Sequence, residues 1–351
     1  MATFNTLVIS KIQRETSKAV SISFDVPESL KNTYAFEAGQ YLTLKTKIDG
    51  QEIRRDYSIS SSPRSNDLTV TIKEIENGIF SSFANQELKV GESIAVAPPK
   101  GRFTYTTNSD RQNTIVAFAA GSGITPIMSI LKTVLDTNTS QKFVLVYGNK
   151  TPEETIFFKT LHDLKTQHPT RFELQYVYSQ AQGESALFGR IDKGNTNYSL
   201  KNLINIDQTS AFYLCGPEKM IHTVKEVLLQ HNVCEDDILF ELFTATTTVA
   251  EAQVGISSGP TKATVLVDDE TTEISVNSEQ TILEAALKHD VDVPYSCQGG
   301  VCSSCICRIT KGTAEMRQNS VLTDGEVAEG LVLSCQAVST SAVIHIDFDD
   351  V

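Results

Sequence analysis

The sequence has no excess of positive charge, no long apolar run and no tryptophan. Its 351 residues include 30 Lys and Arg against 43 Asp and Glu, and this net charge of −13 argues against nonspecific binding to nucleic acid or anionic lipid. No apolar stretch approaches the ~18 residues that a membrane span requires. No basic segment followed by an apolar one marks a secretion signal. We therefore expect a soluble, cytoplasmic protein of two or three domains that does not insert into membranes.

Disulfide bonding is a poor explanation for the cysteines, because their number is odd, at seven, and a secretion signal is missing. Five of the seven lie after residue 260, which makes metal ligation the leading hypothesis. The charge is uneven in the same way. Residues 261–351 hold 15 acidic and 5 basic residues, a net charge of −10, whereas residues 1–260 have a net charge of −3. Both patterns indicate that the last quarter of the chain is a separate module.

The pattern of apolar residues divides the chain into domains. Residues 1–110 carry short runs of alternating apolar and polar residues, which predict an antiparallel β-barrel or sandwich. Residues 111–243 alternate continuous apolar runs with helical stretches, one of them at 153–165, and predict an α/β domain with a parallel sheet. Residues 244–260 are small and polar, which is typical of a flexible linker. Residues 261–351 mix strands, one helix and a cysteine-rich loop, as in an α+β domain.

Four cysteines have the spacing of an iron–sulfur site. Cys297, Cys302 and Cys305 form a C-x4-C-x2-C pattern, and 29 residues separate Cys305 from Cys335. Plant-type 2Fe-2S centres use four thiolates in this spacing, whereas four-cysteine zinc sites usually pair two C-x2-C segments, so the spacing favours iron and sulfur over zinc. Residues 261–351 accordingly resemble a plant-type ferredoxin domain. The resemblance implies a β-grasp fold and a 2Fe-2S cluster whose metal ligands are these four cysteines.

A second set of motifs lies in the first domain. Residues 55–58, Arg-Asp-Tyr-Ser, have the pattern R-x-Y-S, in which arginine can hold a diphosphate, tyrosine offers a flat face and serine can hydrogen-bond a flavin. This is the flavin signature of the ferredoxin–NADP reductase superfamily, which the chain resembles. The resemblance extends to a helix start that would hold the flavin phosphate and to a P-x-G-x-F element, and it implies FAD rather than FMN. The flavin-binding residues that it implies are Arg55, Tyr57, Ser58, Lys73, Gly78, Ile79, Phe80, Ser81 and Gly101.

The second domain carries motifs of a pyridine-nucleotide site. A glycine loop, G-x-G-x-x-P, follows a buried strand and precedes a helix, so its backbone can approach a diphosphate at the helix N-terminus. By resemblance to the same superfamily, this loop and a C-G-P-x-x-M element hold NADPH or NADH. The residues implied are Gly121, Gly123, Thr125, Pro126, Ser179, Arg190, Cys215, Gly216, Pro217 and Met220. Gln180 stands where relatives that use NADPH often have arginine, and no acidic residue there selects NADH, so the choice of coenzyme stays open.

The resemblance also implies which side chains lie at the reacting rings. The catalytic residues that it implies are Ser58, Thr125, Cys215 and Glu241. Glu241 ends an apolar strand, where an acid is costly unless it has a role. Cys234 and Cys307 lie outside every motif, and we expect each to be a buried cysteine of a strand.

The order of the predicted domains implies the function. It matches iron–sulfur flavoprotein reductases, which pass electrons from NAD(P)H through FAD and a 2Fe-2S cluster to an oxygenase. Within this class the chain resembles reductase subunits of phenylacetyl-CoA epoxygenase complexes of phenylacetate catabolism, through the segments PYSCQGGVC, AEMRQN, EVAEGLVLSCQ and IDFDD. The first alternative is a reductase for a ring-hydroxylating dioxygenase, a ketosteroid hydroxylase or a lipid desaturase. The second is a non-catalytic electron carrier or redox-sensing adaptor. In each case we expect the acidic last module to dock on a basic patch of its partner.

Overall fold

The computed structural model describes residues 4–105, 113–137, 140–183, 185–243 and 261–351. They form two compact units, one spanning Asn5–Phe243 and another that contains residues 261–351. The linker predicted at residues 244–260 lies outside the described residues. Within the described ranges, no helix is both long and apolar enough to cross a bilayer.

An antiparallel sheet and one helix form the first part of the larger unit, as the alternating pattern predicts. The elements are β1 (Asn5–Thr16), β2 (Ala19–Asp25), β3 (Tyr41–Ile48), β4 (Gln51–Ser58), β5 (Leu68–Lys73), α1 (Ile79–Gln86) and β6 (Ser93–Val96). The strands pair in the order β4-β3-β6-β1-β2-β5. The alternation of apolar and polar residues explains why these segments form strands with one buried face. Leu68, Val70 and Ile72 of β5 point into the core, where Leu42 and Leu44 of β3 also lie.

The second part of the larger unit alternates strands and helices, also as predicted. The elements are β7 (Thr114–Ala120), α2 (Ile124–Asp136), β8 (Lys142–Asn149), α3 (Phe158–Gln167), β9 (Phe172–Tyr178), β10 (Leu187–Phe188), α4 (Lys193–Asn202), β11 (Thr209–Cys215), α5 (Glu218–Gln230) and β12 (Ile238–Glu241). All strands pair in parallel, in the order β10-β9-β8-β7-β11-β12. The carboxyl ends of parallel strands meet at one sheet edge, where ligands of such domains bind.

Helix α3 departs from the prediction, which was a helix over residues 153–165. The helix begins only at Phe158 and ends at Gln167. Phe157 has a left-handed backbone, with φ +62, and a turn joins Thr155 to the carbonyl of Pro152. A left-handed residue cannot continue a right-handed helix, so residues 153–157 form turns instead.

The smaller unit is a mixed sheet with two short helices. Its elements are β13 (Thr261–Val267), β14 (Glu270–Val276), α6 (Ile282–Lys288), β15 (Ile306–Lys311), β16 (Ala314–Met316), α7 (Asp324–Ala328), β17 (Leu331–Leu333), β18 (Ala337–Ser339) and β19 (Val343–Asp347). The main sheet has the order β14-β13-β19-β15-β17, with β13 and β19 parallel, and β16 pairs with β18. The prediction of one helix missed α7, which starts with a capping box between Thr323 and Glu326.

Candidate functional site

The R-x-Y-S strand and the start of helix α1 meet inside the larger unit. Tyr57, near the end of β4, packs its ring against Phe80 of α1, with 5.4 Å between ring centroids. Ser81 accepts a hydrogen bond from the Ile75 amide at 3.2 Å and donates one to the Gly78 carbonyl at 3.1 Å, which fixes the turn before the helix. Among the described residues no side chain caps α1, so its first amides stay available to an anion.

The P-x-G-x-F element joins this region to the parallel sheet. Gly101 has φ +125, which favours glycine, and a side chain there would begin 3.0 Å from the ring of Tyr41. Phe103 is buried and lies edge-to-face on Tyr213 of β11, at 5.3 Å between centroids. The Tyr213 hydroxyl donates to the Thr104 carbonyl at 3.1 Å. These contacts join the P-x-G-x-F element to the parallel sheet within the larger unit.

Two nucleotide motifs that are distant in sequence are in contact in the structure. A Cβ atom on Gly123 would lie 2.1 Å from the carbonyl oxygen of Cys215, so only glycine fits. A Cβ on Gly216 would meet the Cε of Met220 at 2.9 Å. The G-x-G-x-x-P loop and the C-G-P-x-x-M element therefore form one surface at the carboxyl edge of the sheet. Pro217 lies at the start of α5, as its N-cap.

Side-chain hydroxyl groups also donate hydrogen bonds to the main chain of the glycine loop. Thr125, almost fully buried, donates from its hydroxyl to the Ser122 carbonyl at 3.0 Å, and Pro126 occupies the first turn of α2. Tyr147 of β8 donates to the Gly121 carbonyl at 3.0 Å. Sequence reasoning missed Tyr147, whose only signal is a polar tip at the end of a buried apolar strand.

Three of the four predicted catalytic residues meet beside these motifs. The Ser58 hydroxyl donates to Glu241 Oε2 at 3.4 Å, and Glu241 pairs with Cys215 in the register of β11 and β12. Burial, and then the charge of Asp56, raises the pKa of Glu241 to about 8, against the hydrogen bond from Ser58. Burial, and then Glu241, raises the pKa of the Cys215 thiol. Asp56, which occupies the variable position of R-x-Y-S, was missed as a member of this group.

Lys73 lies nearer to the glycine loop than its assignment to the flavin motifs suggests. Its Nζ lies 3.5 Å from the position of a Cβ on Gly121. Burial lowers the pKa of Lys73, and the nearby carboxylate of Glu154 opposes that change. A partly desolvated ammonium beside a glycine loop favours contact with an anion.

Ser179 and Arg190, the residues implied in coenzyme choice, follow strands β9 and β10 of the same sheet. The Ser179 amide donates to the Asn149 carbonyl at 3.0 Å, and the Gly189 amide donates to the Tyr178 carbonyl at 2.8 Å. Arg190, next in sequence, is exposed. This arrangement keeps Ser179 and Arg190 near one another.

The four predicted cluster cysteines converge in the smaller unit. The Cys302 Sγ donates to the Cys297 Sγ at 3.0 Å, and hydrogen bonds from Cys302, then Cys335, lower the pKa of Cys297. A hydrogen bond with Cys335 likewise lowers the pKa of Cys305. The Gly299 amide donates to the Cys297 sulfur at 3.3 Å. Four sulfur ligands with a backbone donor are the chemistry that an iron–sulfur cluster requires.

The thiols pack against one another rather than around a central point. Within the ranges that the structure describes, no group of three or more His, Cys, Asp or Glu side chains is arranged to hold a metal ion. The loop between Cys297 and Cys305 contains no helix or strand.

The two remaining cysteines differ from each other. Cys307 on β15 is fully buried in the core of the smaller unit, as predicted. The prediction of a buried strand cysteine at position 234 is wrong, because Cys234 is exposed. It precedes a turn of three acidic residues, Glu235–Asp237, and β12 begins only at Ile238.

Comparison with known families identifies three domains in this chain. The family model described as "Oxidoreductase FAD-binding domain" matches residues 6–105, the "Oxidoreductase NAD-binding domain" matches residues 118–226, and the "2Fe-2S iron-sulfur cluster binding domain" matches residues 265–340. FAD, a nicotinamide coenzyme and a 2Fe-2S cluster are therefore the cofactors.

Several known proteins match this chain over nearly its whole length, and therefore across all three domains. One component of the 1,2-phenylacetyl-CoA epoxidase of Escherichia coli (strain K12) is 38% identical, over 99% of this chain and 99% of its own. The ferredoxin reductase component of the 3-ketosteroid-9-alpha-monooxygenase of Rhodococcus rhodochrous is 32% identical, over 97% and 96%. The solved structure of phthalate dioxygenase reductase has the same fold, with a TM-score of 0.62 at 23% identity and 98% coverage of both chains. The chain thus belongs to the ferredoxin reductase-type oxidoreductases that unite FAD-binding, NAD-binding and 2Fe-2S domains to transfer electrons.

Proposed function

We propose that this chain supplies electrons from NAD(P)H to an oxygenase like the phenylacetyl-CoA epoxidase. The observation that carries the proposal is the 38% identity to the Escherichia coli epoxidase component over the full length of both chains. When bound, the coenzyme supplies a hydride, and FAD and the 2Fe-2S cluster carry its electrons onward. A reductase for a ketosteroid monooxygenase is the second candidate, because a relative named for that system is 32% identical over 97% of this chain.

The flavin would lie along β4 and the start of α1. Tyr57, supported from behind by Phe80, offers a ring face to the isoalloxazine, and the exposed Arg55 guanidinium suits the FAD diphosphate. The uncapped amides of α1 suit a flavin phosphate. The remaining residues of this assignment are Ser58, Gly78, Ile79, Ser81 and Gly101.

The coenzyme would lie across the glycine loop. The contact between Gly123 and Cys215 supports a single surface built from both nucleotide motifs. Lys73 belongs with this group by its position beside Gly121, where its ammonium suits the coenzyme diphosphate. The remaining residues of this assignment are Thr125, Pro126, Ser179, Arg190, Gly216, Pro217 and Met220.

Four residues would surround the point where the two rings meet: Ser58, Thr125, Cys215 and Glu241. With a pKa of about 8, Glu241 holds a proton on its carboxyl at neutral pH. A protonated carboxyl next to the Ser58 hydroxyl provides a hydrogen-bonded pair that can hold or release a proton at the flavin. Buried Cys215 then serves as a neutral contact surface for the nicotinamide.

The domain organisation extends this proposal. We assign residues 1–110 to the FAD domain, 111–243 to the nucleotide domain, 244–260 to a linker and 261–351 to the ferredoxin domain. The first sheet would close as a barrel, because Ile59, just after β4, bridges Val70 of β5, the strand at the other end of the sheet order. The packing of α6 against the mixed sheet supports a β-grasp fold for the last domain. Its net charge of −10 favours docking on a basic patch of the oxygenase.

Reconstitution with purified oxygenase components tests this function. The chain, loaded with its cofactors, is mixed with NADH or NADPH and either a phenylacetyl-CoA epoxidase or a 3-ketosteroid 9α-monooxygenase from which the native reductase has been omitted. We expect product from the epoxidase, and a kcat/KM for this chain at least tenfold higher than with the ketosteroid system. The reverse preference, with equal ferricyanide reduction in both mixtures, would select the second candidate.

A further inference from the structure

Two serines beside the cluster cysteines have buried hydroxyl groups without partners. Ser296 is 1% exposed and Ser334 is 0% exposed, and the described part of the chain offers no hydrogen-bond partner to either Oγ. Each directly precedes a predicted cluster ligand, Cys297 and Cys335. A buried hydroxyl left unpaired is destabilising, so buried hydroxyls are nearly always paired.

The main chain prevents the Ser334 hydroxyl from reaching solvent. The Ser334 amide donates to the Cys305 carbonyl at 2.9 Å, and the Ser334 carbonyl accepts from the Leu283 amide at 3.0 Å. These bonds hold the residue between α6 and the cysteine loop. Its hydroxyl lies beside the Cys305 sulfur, outside ordinary hydrogen-bond geometry.

A third serine shows what the fold does with a buried hydroxyl elsewhere in this unit. Ser339, at the end of β18, is 4% exposed, and its hydroxyl donates to the Ser341 carbonyl at 3.1 Å. This buried hydroxyl therefore has its partner within the same unit. At Ser296 and Ser334, for which the described residues offer no acceptor, the sulfur atoms of a bound cluster would supply one.

We propose that the hydroxyls of Ser296 and Ser334 donate to sulfur atoms of the 2Fe-2S cluster and its ligands, and so raise its reduction potential. The proposal rests on the proposed function and on the ligand set predicted from the sequence, Cys297, Cys302, Cys305 and Cys335. Reduction adds one electron, supplied by the coenzyme through the flavin, and part of the added negative charge falls on sulfur. Donors aimed at sulfur inside a low-dielectric core stabilise the reduced form more than the oxidised form.

Potentiometric titration of the full chain with all cofactors tests this, with the reduced cluster measured by electron paramagnetic resonance. In Ser296→Ala and Ser334→Ala we expect reduction to become about tenfold less favourable, about 59 mV for a one-electron couple. Ser339→Ala, the matched control, should keep the unmodified potential, and Ser334→Thr, which keeps a hydroxyl, should restore most of it. Unchanged potentials in both alanine variants at full cluster content would overturn the proposal.

Iron and sulfide content separates failure of this proposal from failure of the ligand assignment. If the unmodified chain binds no cluster, the four-cysteine assignment is wrong. Resonance Raman spectra of the unmodified protein need no substitution, so they can still refute the proposal if an alanine variant loses its cluster. The iron–sulfur stretching bands must shift between H2O and D2O if exchangeable donors contact sulfur, and identical bands would refute the proposal.

Discussion

The glycine loop of the nucleotide domain and the cysteine loop of the ferredoxin domain build their sites in different ways. In the first, Gly123 and Cys215, 92 positions apart, are held in contact by the parallel sheet, and main-chain atoms line the site. In the second, three of the four sulfur atoms come from the short segment between Cys297 and Cys305, and side chains line the site. One site depends on the packing of a whole domain, and the other depends on local chain geometry plus one distant residue.

Replacing one cysteine should break the second site and spare the first. In Cys302→Ser we expect reduction of cytochrome c to be abolished, because one sulfur ligand is lost, while most ferricyanide reduction remains, since the flavin can serve that acceptor directly. Steady-state assays with both acceptors measure this. Cys234→Ser, at an exposed cysteine outside every motif, is the control and should keep both activities. Equal loss of both activities in Cys302→Ser would contradict the proposed order of carriers.

Replacing Gly123 should break the first site and spare the second. In Gly123→Ala the new Cβ would lie 2.1 Å from the Cys215 carbonyl oxygen, so the loop must move. We expect a loss of about 3 kcal/mol in the free energy of unfolding and at least a 100-fold loss of kcat/KM for the coenzyme, with cluster content unchanged. Urea denaturation and ferricyanide assays measure these effects.

A glycine inside a helix of the same domain is the control for that substitution. Gly194 lies in α4, and a Cβ there meets only the flexible end of Asp192, at 3.3 Å. Gly194→Ala should change stability by no more than about 1 kcal/mol, because alanine favours the helix. Similar losses in the two alanine variants would mean that the contact between Gly123 and Cys215 does not limit the site.

The difference between a site built by long-range packing and one built mainly by local chain geometry explains how far the sequence alone predicts each site. The cysteine spacing, with three cysteines between residues 297 and 305 and a fourth at residue 335, is enough to predict the convergence of the four sulfur atoms. Tyr147 and Asp56 were missed because their roles arise from strand register and packing, which single-sequence patterns do not encode. Cys234 was misplaced for a similar reason, because β12 begins only at Ile238, after a turn that the apolar pattern does not mark. The sheets and their strand directions followed from the period of the apolar residues, whereas the start of α3 depends on one left-handed residue.

The protonation of Glu241, like the contact between Gly123 and Cys215, depends on long-range packing in the larger unit. Its pKa is raised from 4.5 to about 8, so the folded protein retains a proton that the unfolded chain loses. The contribution to stability is therefore full below about pH 4.5 and is lost as pH rises to about 8, by up to about 5 kcal/mol. Glu241→Gln should flatten this part of the pH profile in urea unfolding of the full chain. Asp236→Asn, an exposed neighbour, should leave the profile unchanged. Parallel profiles for the unmodified chain and Glu241→Gln would contradict the shift.

The smallest expected effect is that of salt on electron delivery, through the negative charge of the ferredoxin domain. The ferredoxin domain has a net charge of −10 and the rest of the chain −3, so docking on the oxygenase should weaken as salt rises, while ferricyanide reduction changes less. We expect a several-fold fall in the rate of electron delivery between low salt and about 0.3 M salt. A rate independent of ionic strength would rule out electrostatic docking.

The central claim is that one chain passes electrons from NAD(P)H to flavin and then to the 2Fe-2S cluster. Anaerobic rapid mixing of the loaded chain with NADH or NADPH tests it most directly, with flavin absorbance and the paramagnetic signal of the reduced cluster followed in the same sample. We expect loss of flavin absorbance first, followed by a cluster signal that approaches one spin per chain. Complete flavin reduction while the cluster stays oxidised would contradict it.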